Sequence, residues 1–195
     1  IETQISLSNY NLEEDANNGL CENNNDGTIT YTPNENFPYN NSIIGNDQCA
    51  YSVNDGESNS NISIISLNIN PINDSPVTID SSNIAYEDGG VISGELSYQD
   101  ADIDDSIEFN LLDSLSSNEL GILNFNDNGS YTYDIQSFYQ YLGQGDSTKI
   151  DFIFNAIDDS LSSSDSSKVE ITIIGVNDLP FLDISNVPFL VDEDS

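Results

Sequence analysis

The sequence predicts an all-β protein made of two β-sandwiches in tandem. Short runs of alternating apolar and polar residues are separated by turns rich in Asn, Asp, Gly and Ser, and the chain shows no long helical pattern. Similar segments recur in the same order about a hundred residues apart. A chain of 195 residues is long enough for two domains of about 100 residues each.

The internal repeat is the strongest feature of the sequence. Three segments have later counterparts: 26–31 in 128–133, 51–55 in 154–158, and 73–76 in 177–180. The first pair opens with Asp-Gly and Asn-Gly, which are hairpin-turn dipeptides, directly before alternating runs. The shared order and spacing of the three segments indicate two copies of one domain.

The strands of the second copy follow from the same alternation. They are predicted at 91–98, 106–111, 121–126, 130–134, 149–156 and 168–175. Between the fourth and fifth of these, Phe138, Tyr141 and Leu142 recur at helical spacing, which predicts a single helical turn over 137–143. Several short strands with frequent turns favour sandwiches.

The repeat also predicts where the domains begin and end. Residues 1–72 are expected to form a partial sandwich, 73–76 a linker, 77–176 a complete sandwich, and 177–195 a second linker with the start of a following repeat. The first copy lacks a counterpart of 85–102, so we expect it to be N-terminally incomplete or a shorter variant. We expect the chain to be part of a longer protein.

The charge of the chain excludes several classes of function. Two Lys/Arg residues against 35 Asp/Glu residues, without His, give a net charge of −33 at pH 7. Nucleic-acid binders need cationic side chains, and an anionic membrane surface would repel this chain. No apolar run reaches the roughly 18 residues of a membrane span. A non-catalytic protein is predicted, because His-based triads, nucleophile elbows and phosphate loops do not occur.

The two cysteines allow one intramolecular pair. Cys21 and Cys49 are either two buried thiols that act as small apolar residues or a disulfide. The composition is typical of extracellular proteins, which favours the disulfide. A zinc site is disfavoured, because the chain offers two cysteines and no His.

Several phrases together resemble a known family of repeats. They are 27–34 with Phe37, 51–56, 73–77, 86–89, 100–102 and 175–180. In order and spacing they resemble the bacterial cadherin-like and VCBS-type repeats of large surface adhesins and repeat-in-toxin proteins, over nearly the whole chain. The first copy departs from the family by lacking an Asp-Ala-Asp phrase, and Asp159 stands where the family has Gly.

The resemblance implies Greek-key sandwiches of the immunoglobulin or cadherin-like type, joined end to end, with Ca²⁺ bound at their junctions. It places the protein outside the cell or on the cell surface of a bacterium. Its partners would be adjacent repeats of the same polypeptide.

Two calcium sites are expected at the ends of the second sandwich. The upper site comprises Asn73, Asp74, Asp100 and Asp102, with Asp158 as a further member; the lower site comprises Glu87, Asn177 and Asp178 and is completed by a following domain. Carboxylate and amide oxygens are the ligands that Ca²⁺ prefers, and an Asp-x-Asp pair in an extended segment directs two carboxylates to one side.

The alternative for each acidic turn is simple solvation. Asp and Asn side chains imitate backbone hydrogen bonds in turns, which we expect for Asp26, Asp55 and Asp127. The stretch 158–165, rich in Ser, is expected to be a solvated hairpin tip.

The predicted function is a calcium-stiffened spacer within a large adhesin or surface protein. The alternative is a carbohydrate-binding module that stacks sugars near Phe138, Tyr139 and Tyr141, or that binds another cell-surface ligand. A role for these rings in filling the core is the simpler interpretation.

Overall fold

The computed structural model describes residues 10–113, 121–135, 137–180 and 182, and it is built from strands alone in these ranges. The strands are β1 (Tyr10–Glu14), β2 (Gly19–Asn23), β3 (Ile29–Pro33), β4 (Gly45–Val53), β5 (Ser63–Ile69), β6 (Val77–Ile79), β7 (Ser81–Tyr86), β8 (Val91–Glu95), β9 (Ser97–Gln99), β10 (Glu108–Asp113), β11 (Ile122–Phe125), β12 (Ser130–Asp134), β13 (Ser147–Ile157) and β14 (Ser167–Ile174). The described residues contain no helix that could span a membrane.

The first sandwich consists of β1–β5. The sheet β1-β4-β5 is antiparallel, with β4 at its centre, and β2-β3 forms a second, two-stranded sheet. A disulfide between Cys21 on β2 and Cys49 on β4 joins the two sheets, with the Cα atoms 6.5 Å apart. The buried carboxylate of Asp47 on β4 accepts the N–H of Asn18 at 2.8 Å and the hydroxyl of Tyr31 at 2.9 Å. The disulfide and this carboxylate therefore hold the small core together.

The second sandwich consists of β6–β14. Its larger sheet has the order β10-β13-β14-β7, and its smaller sheet the order β11-β12-β8. The strands of both sheets are antiparallel except β7, which pairs with β14 in parallel. The two sheets pack face to face, as shown by Tyr131 of β12, whose ring centroid lies 5.1 Å from that of Phe152 of β13.

Alternation in the strands explains this core. On β13 the side chains of Ile150, Phe152, Phe154 and Ala156 are buried, and the residues between them are exposed or half-buried. On β12 Tyr131 and Tyr133 are buried in the same way. The tandem all-β sandwich fold predicted from the sequence is confirmed.

Two local predictions were imprecise or wrong. The strand predicted at 91–98 is interrupted at the buried Leu96 and forms β8 and β9. The helical turn predicted over 137–143 is a non-helical turn in which the N–H of Leu142 donates to the carbonyl of Tyr139 at 2.9 Å. This turn buries Tyr139 and Leu142 but leaves Tyr141 exposed, so the helical spacing of Phe138, Tyr141 and Leu142 does not mark one buried face.

Candidate metal centre

An acidic cluster lies at the end of the second sandwich that faces the first. Its six members, called here the junction cluster, are Asn73 and Asp74 between β5 and β6, Asp100, Asp102 and Asp105 between β9 and β10, and Asp158 directly after β13. The segments converge because β6 pairs with β9 and β10 pairs with β13. Strand pairing therefore brings together residues that are up to 85 positions apart.

Hydrogen bonds connect the linker to the acidic loop. The N–H of Asp74 donates to Oδ2 of Asp102 at 2.7 Å, and the N–H of Asp102 donates to Oδ1 of Asp100 at 3.0 Å. The amide of Asn73 donates to Oδ2 of Asp158 at 2.9 Å. The structure thus brings together the five residues that the sequence suggested for the upper site, while their role as metal ligands stays a prediction.

Asp105 belongs to the same cluster, although it was not among the residues predicted for the upper site. One carboxylate oxygen from each of Asp100, Asp105 and Asp158 lies within 4.8 Å of the other two. The N–H of Asp105 donates to the carbonyl of Asp102 at 3.3 Å, so the loop turns back and directs this side chain inward. The signal in the sequence was the continuation of Asp-Ala-Asp into Asp104-Asp105.

Two carboxylate oxygens of the cluster are buried without a hydrogen-bond partner. They are Oδ2 of Asp100 and Oδ2 of Asp105. Burial raises the pKa of Asp105 to about 6, and the charges of Asp159, Asp102, Asp100 and Asp158 add to the effect. Burial also raises the pKa of Asp100, with the charges of Asp102 and Asp158 acting in the same direction. The cluster therefore favours the binding of a positively charged species.

The donor set fits a hard divalent cation. Carboxylate oxygens, an amide oxygen and backbone carbonyls are the ligands that Ca²⁺ prefers. The cluster contains neither Cys nor His, which softer transition metals prefer. Such an ion would give a partner to the two carboxylate oxygens that lack a hydrogen bond and lie among other carboxylates.

The chain cannot neutralise the cluster itself. Its only cationic side chains are Lys149 on β13 and Lys168 on β14, and both pair with Glu170. Lys149 lies 2.6 Å and Lys168 3.7 Å from the Glu170 carboxylate. Neither Lys side chain therefore compensates the charge of the junction cluster.

The hairpin that follows β13 is more ordered at its base than a solvated tip would be. Asp158 is 3% exposed, and its Oδ1 accepts the N–H of Ser162 at 2.8 Å. The Ser162 hydroxyl lies 3.0 Å from the amide of Asn73. Asp159 and Leu161 are exposed, as expected for a tip. Sequence reasoning missed Ser162 because a run of Ser predicts flexibility.

The opposite end of the second sandwich holds one buried carboxylate. Glu87 is 1% exposed, its Oε1 accepts the N–H of Val176 at 2.7 Å, and its Oε2 has no hydrogen-bond partner. Asn177 and Asp178 follow Val176 directly, and both are exposed. The hydrogen bond to Val176 therefore places Glu87 beside the segment that leads into Asn177 and Asp178, but of these three residues only Glu87 is buried.

The aromatic turn after β12 does not present a shared ring surface. Tyr139 is 1% exposed, with its hydroxyl 3.0 Å from that of Tyr133, and Phe138 is half-buried. Tyr141 is 71% exposed. The carbohydrate-binding alternative stays a prediction, and in this segment it would depend on one accessible ring.

The acidic turns elsewhere behave as expected for solvated turns. Oδ1 of Asp26 accepts the N–H and hydroxyl of Thr28, and Oδ1 of Asp55 accepts two backbone N–H groups. Asp127 is exposed.

Comparison with known proteins supports the fold. Residues 2–70, about a third of the chain, match the family model of the cadherin-like domain. No curated protein matches the chain.

The structural comparison found several solved structures at low sequence identity. Human mucin-like protocadherin EC1-2 is 11% identical, with 85% of this chain and 83% of that chain covered and a TM-score of 0.51. Drosophila N-cadherin EC1-4 is 11% identical, with 86% and 42% covered and a TM-score of 0.48. Mouse protocadherin-24 EC1-3 is 15% identical, with 86% and 58% covered and a TM-score of 0.44. The chain spans less than half the length of the N-cadherin structure, and the similarity to the human protein shows a shared fold.

Proposed function

We propose that the junction cluster binds calcium and that the bound ion fixes the orientation of the two sandwiches in a non-catalytic, extracellular spacer. The observation that carries the proposal is the pair of buried, unpartnered oxygens of Asp100 and Asp105. They lie among further carboxylates and an amide, in a chain whose two cations are engaged elsewhere.

Electrostatic repulsion supports the need for a cation. Two carboxylates about 4 Å apart repel each other by roughly 4 kcal/mol at an effective dielectric constant of 20. A divalent ion converts this repulsion into attraction and supplies the charge that the chain lacks. Asn73, Asp74, Asp100, Asp102, Asp105 and Asp158 are the residues that would hold it.

The origin of the ligands suggests how binding would stiffen the protein. Asn73 and Asp74 belong to the linker, whereas the other four belong to the second sandwich. An ion that binds both sets removes the freedom of the linker relative to that sandwich. The chain then acts as a rod whose length is set by the number of repeats.

The setting of such a spacer is outside the cell. A disulfide between Cys21 and Cys49 is favoured in an oxidising compartment, and the match to the cadherin-like domain agrees with an adhesive surface protein. Adjacent repeats of the same polypeptide would be the partners. The second site proposed, at Glu87, Asn177 and Asp178, would bind calcium together with a following repeat. The bacterial origin that the resemblance implies stays a prediction.

Thermal melts test the proposal directly. We compare the protein in excess EDTA and in millimolar calcium with the double variant Asp100→Asn/Asp102→Asn, which keeps oxygen acceptors but removes two charges. Calcium at about 100 times its Kd stabilises the folded state by about 2.7 kcal/mol, or roughly 5–10 °C in Tm. The double variant should lose most of this rise, and Asp127→Ala, in an exposed turn, should keep it. Melts of the unaltered protein that coincide in EDTA and calcium would contradict the proposal.

A further inference from the structure

One side chain of the first sandwich contacts three segments beyond it. The amide nitrogen of Asn41, in the turn between β3 and β4, lies 2.8 Å from Oδ1 of Asn73 and 2.7 Å from Oδ1 of Asp105. It also lies 3.3 Å from the hydroxyl of Ser160. A single residue of the first sandwich thus reaches the linker, the acidic loop and the hairpin after β13.

Neighbouring residues strengthen this contact. The amide of Asn40 donates to Oδ2 of Asp104, and the N–H of Ile103 donates to the carbonyl of Tyr39 at 3.0 Å. The turn 39–42, called here the docking turn, therefore lies along the acidic loop over three consecutive residues of each segment.

Hydrogen bonds within the docking turn also fix its shape. Oδ1 of Asn40 accepts the N–H of Ser42 at 2.8 Å, and the carbonyl of Asn40 accepts the N–H of Ile43 at 3.3 Å. The hydroxyl of Ser42 donates to Oδ1 of Asn41 at 3.1 Å. The Asn41 amide is therefore oriented with its nitrogen towards the second sandwich.

The chemistry of this contact is that of a cation substitute. An amide NH₂ offers two donors, and hydrogen bonds from a neutral donor to a carboxylate are stronger than those between neutral groups. Asn41 gives Asp105 a positive dipole without adding charge, in a cluster that no Lys of this chain reaches. The amide is half-buried, so water competes with it only in part.

We propose that the docking turn is a latch that keeps the two sandwiches docked in the absence of a bound cation, and that Asn41 is its central residue. The ion-free junction is then a closed joint with a limited range of orientations, and a cation reinforces an orientation that hydrogen bonds have already selected. This inference does not require calcium; only the calcium step of its test rests on the proposed function.

Single-molecule energy transfer tests the latch. Two dyes are introduced through non-natural amino acids at the exposed positions Ser66 on β5 and Ser82 on β7, which leaves the disulfide intact. In excess EDTA the unaltered protein should give one narrow distance distribution. Asn41→Ala should broaden it, with the ratio of docked to undocked molecules falling roughly tenfold, the factor that about 1.4 kcal/mol represents.

Two further variants make the result specific. Asn40→Ala should act in the same direction as Asn41→Ala. Asn61→Ala should leave the distribution narrow, because this exposed amide reaches only the adjacent Ile62 carbonyl, at 3.3 Å. An unaltered protein that is as broad in EDTA as Asn41→Ala would overturn the latch.

Asn41→Asp separates the latch from calcium binding. It places a carboxylate against Asp105, so the distribution should be broad in EDTA and narrow again in millimolar calcium. A difference between the distance distributions of the unaltered protein and Asn41→Ala in EDTA supports the latch. If calcium then narrows the distribution of neither Asn41→Ala nor Asn41→Asp, the calcium proposal is contradicted while the latch is not. A distribution for Asn41→Asp that is already narrow in EDTA would count against the latch.

Discussion

The backbone N–H of Asp74 donates to Oδ2 of Asp102 at 2.7 Å, and this bond ties the linker to the acidic loop. Asp102 is 3% exposed, so the bond is shielded from water and from competing donors. The bond gives one oxygen of Asp102 a partner. The oxygens of the cluster that lack a hydrogen-bond partner belong to Asp100 and Asp105. The linker is therefore positioned by the protein, and the uncompensated charge lies on the neighbouring residues.

Asp105→Asn should raise stability without calcium and weaken calcium binding. The substitution removes a buried charge that other carboxylates repel, and it keeps Oδ1 as the acceptor for Asn41. Tm in EDTA should rise, by about 2–4 °C for each kcal/mol relieved. Calcium affinity measured by calorimetry should fall by about tenfold or more, because an anionic ligand is lost. Asp127→Asn is the matched control, and an unchanged calcium affinity for Asp105→Asn would exclude this carboxylate as a ligand.

Stability without calcium should increase as the pH falls from 7.5 to 5. The pKa of Asp105 is raised to about 6 in the folded state, so the folded state binds more protons than the unfolded state between about pH 4 and pH 6. Its contribution is full below the unfolded pKa and is lost as the pH rises through 6. Hydrogen bonds from Ser58 and Glu57 lower the pKa of Asp55, so this residue acts at lower pH.

Melts in EDTA across this range check the effect, with Asp105→Asn as the comparison. The free energy of unfolding should change less with pH in the variant. The two proteins share all their other titratable groups, and the variant lacks only the carboxyl group of Asp105. In calcium the trend should reverse, because protons and the cation compete for the same carboxylates. Identical slopes for the two proteins in EDTA would show that Asp105 does not titrate in this range.

The sequence identified most of the cluster because the information is local. Asp100 and Asp102 are two positions apart in an extended segment, and Asn73-Asp74 is part of a repeated phrase. Alternation likewise located β12 at its observed bounds. These features can be recognised in the sequence without knowing which segments contact each other in the fold.

The residues that were missed depend on contacts between distant segments. Asn41 acts at the junction only because its turn docks on a loop that lies 64 positions later. Ser162 is ordered only because Asp158 is buried beneath the linker. The parallel pairing of β7 with β14 is equally non-local, and its alternation alone could not identify that partner.

Glu87→Ala should destabilise the second sandwich more than Glu87→Gln. Both substitutions remove the buried charge, but Gln keeps an oxygen that accepts the N–H of Val176. Ala leaves that N–H without its partner, at a cost of about 1–3 kcal/mol. Chemical denaturation in EDTA measures the difference, and equal losses for both variants would show that the Val176 bond adds no stability.

Loss of the disulfide should unfold the first sandwich selectively. Among the described residues of β1–β5, the buried apolar side chains are Cys21, Cys49 and Ala50, whereas the second sandwich has a continuous aromatic and aliphatic core. A small core makes a domain only marginally stable, so the loss of a stabilising cross-link can unfold it. The disulfide links residues 28 positions apart, and closing a loop of this length stabilises a fold by about 3–4 kcal/mol in the chain-entropy account.

Cys21→Ser/Cys49→Ser should therefore lose protection against hydrogen exchange in β4 and β5 while β13 and β14 keep theirs. The second sandwich serves as the internal reference, because its core contains neither cysteine. The junction should weaken as well, since the docking turn leads directly into β4 and loses its support when that strand unfolds. Equal loss of protection in both sandwiches would mean that they unfold as one cooperative unit, with the docked junction transmitting the destabilisation from the first to the second.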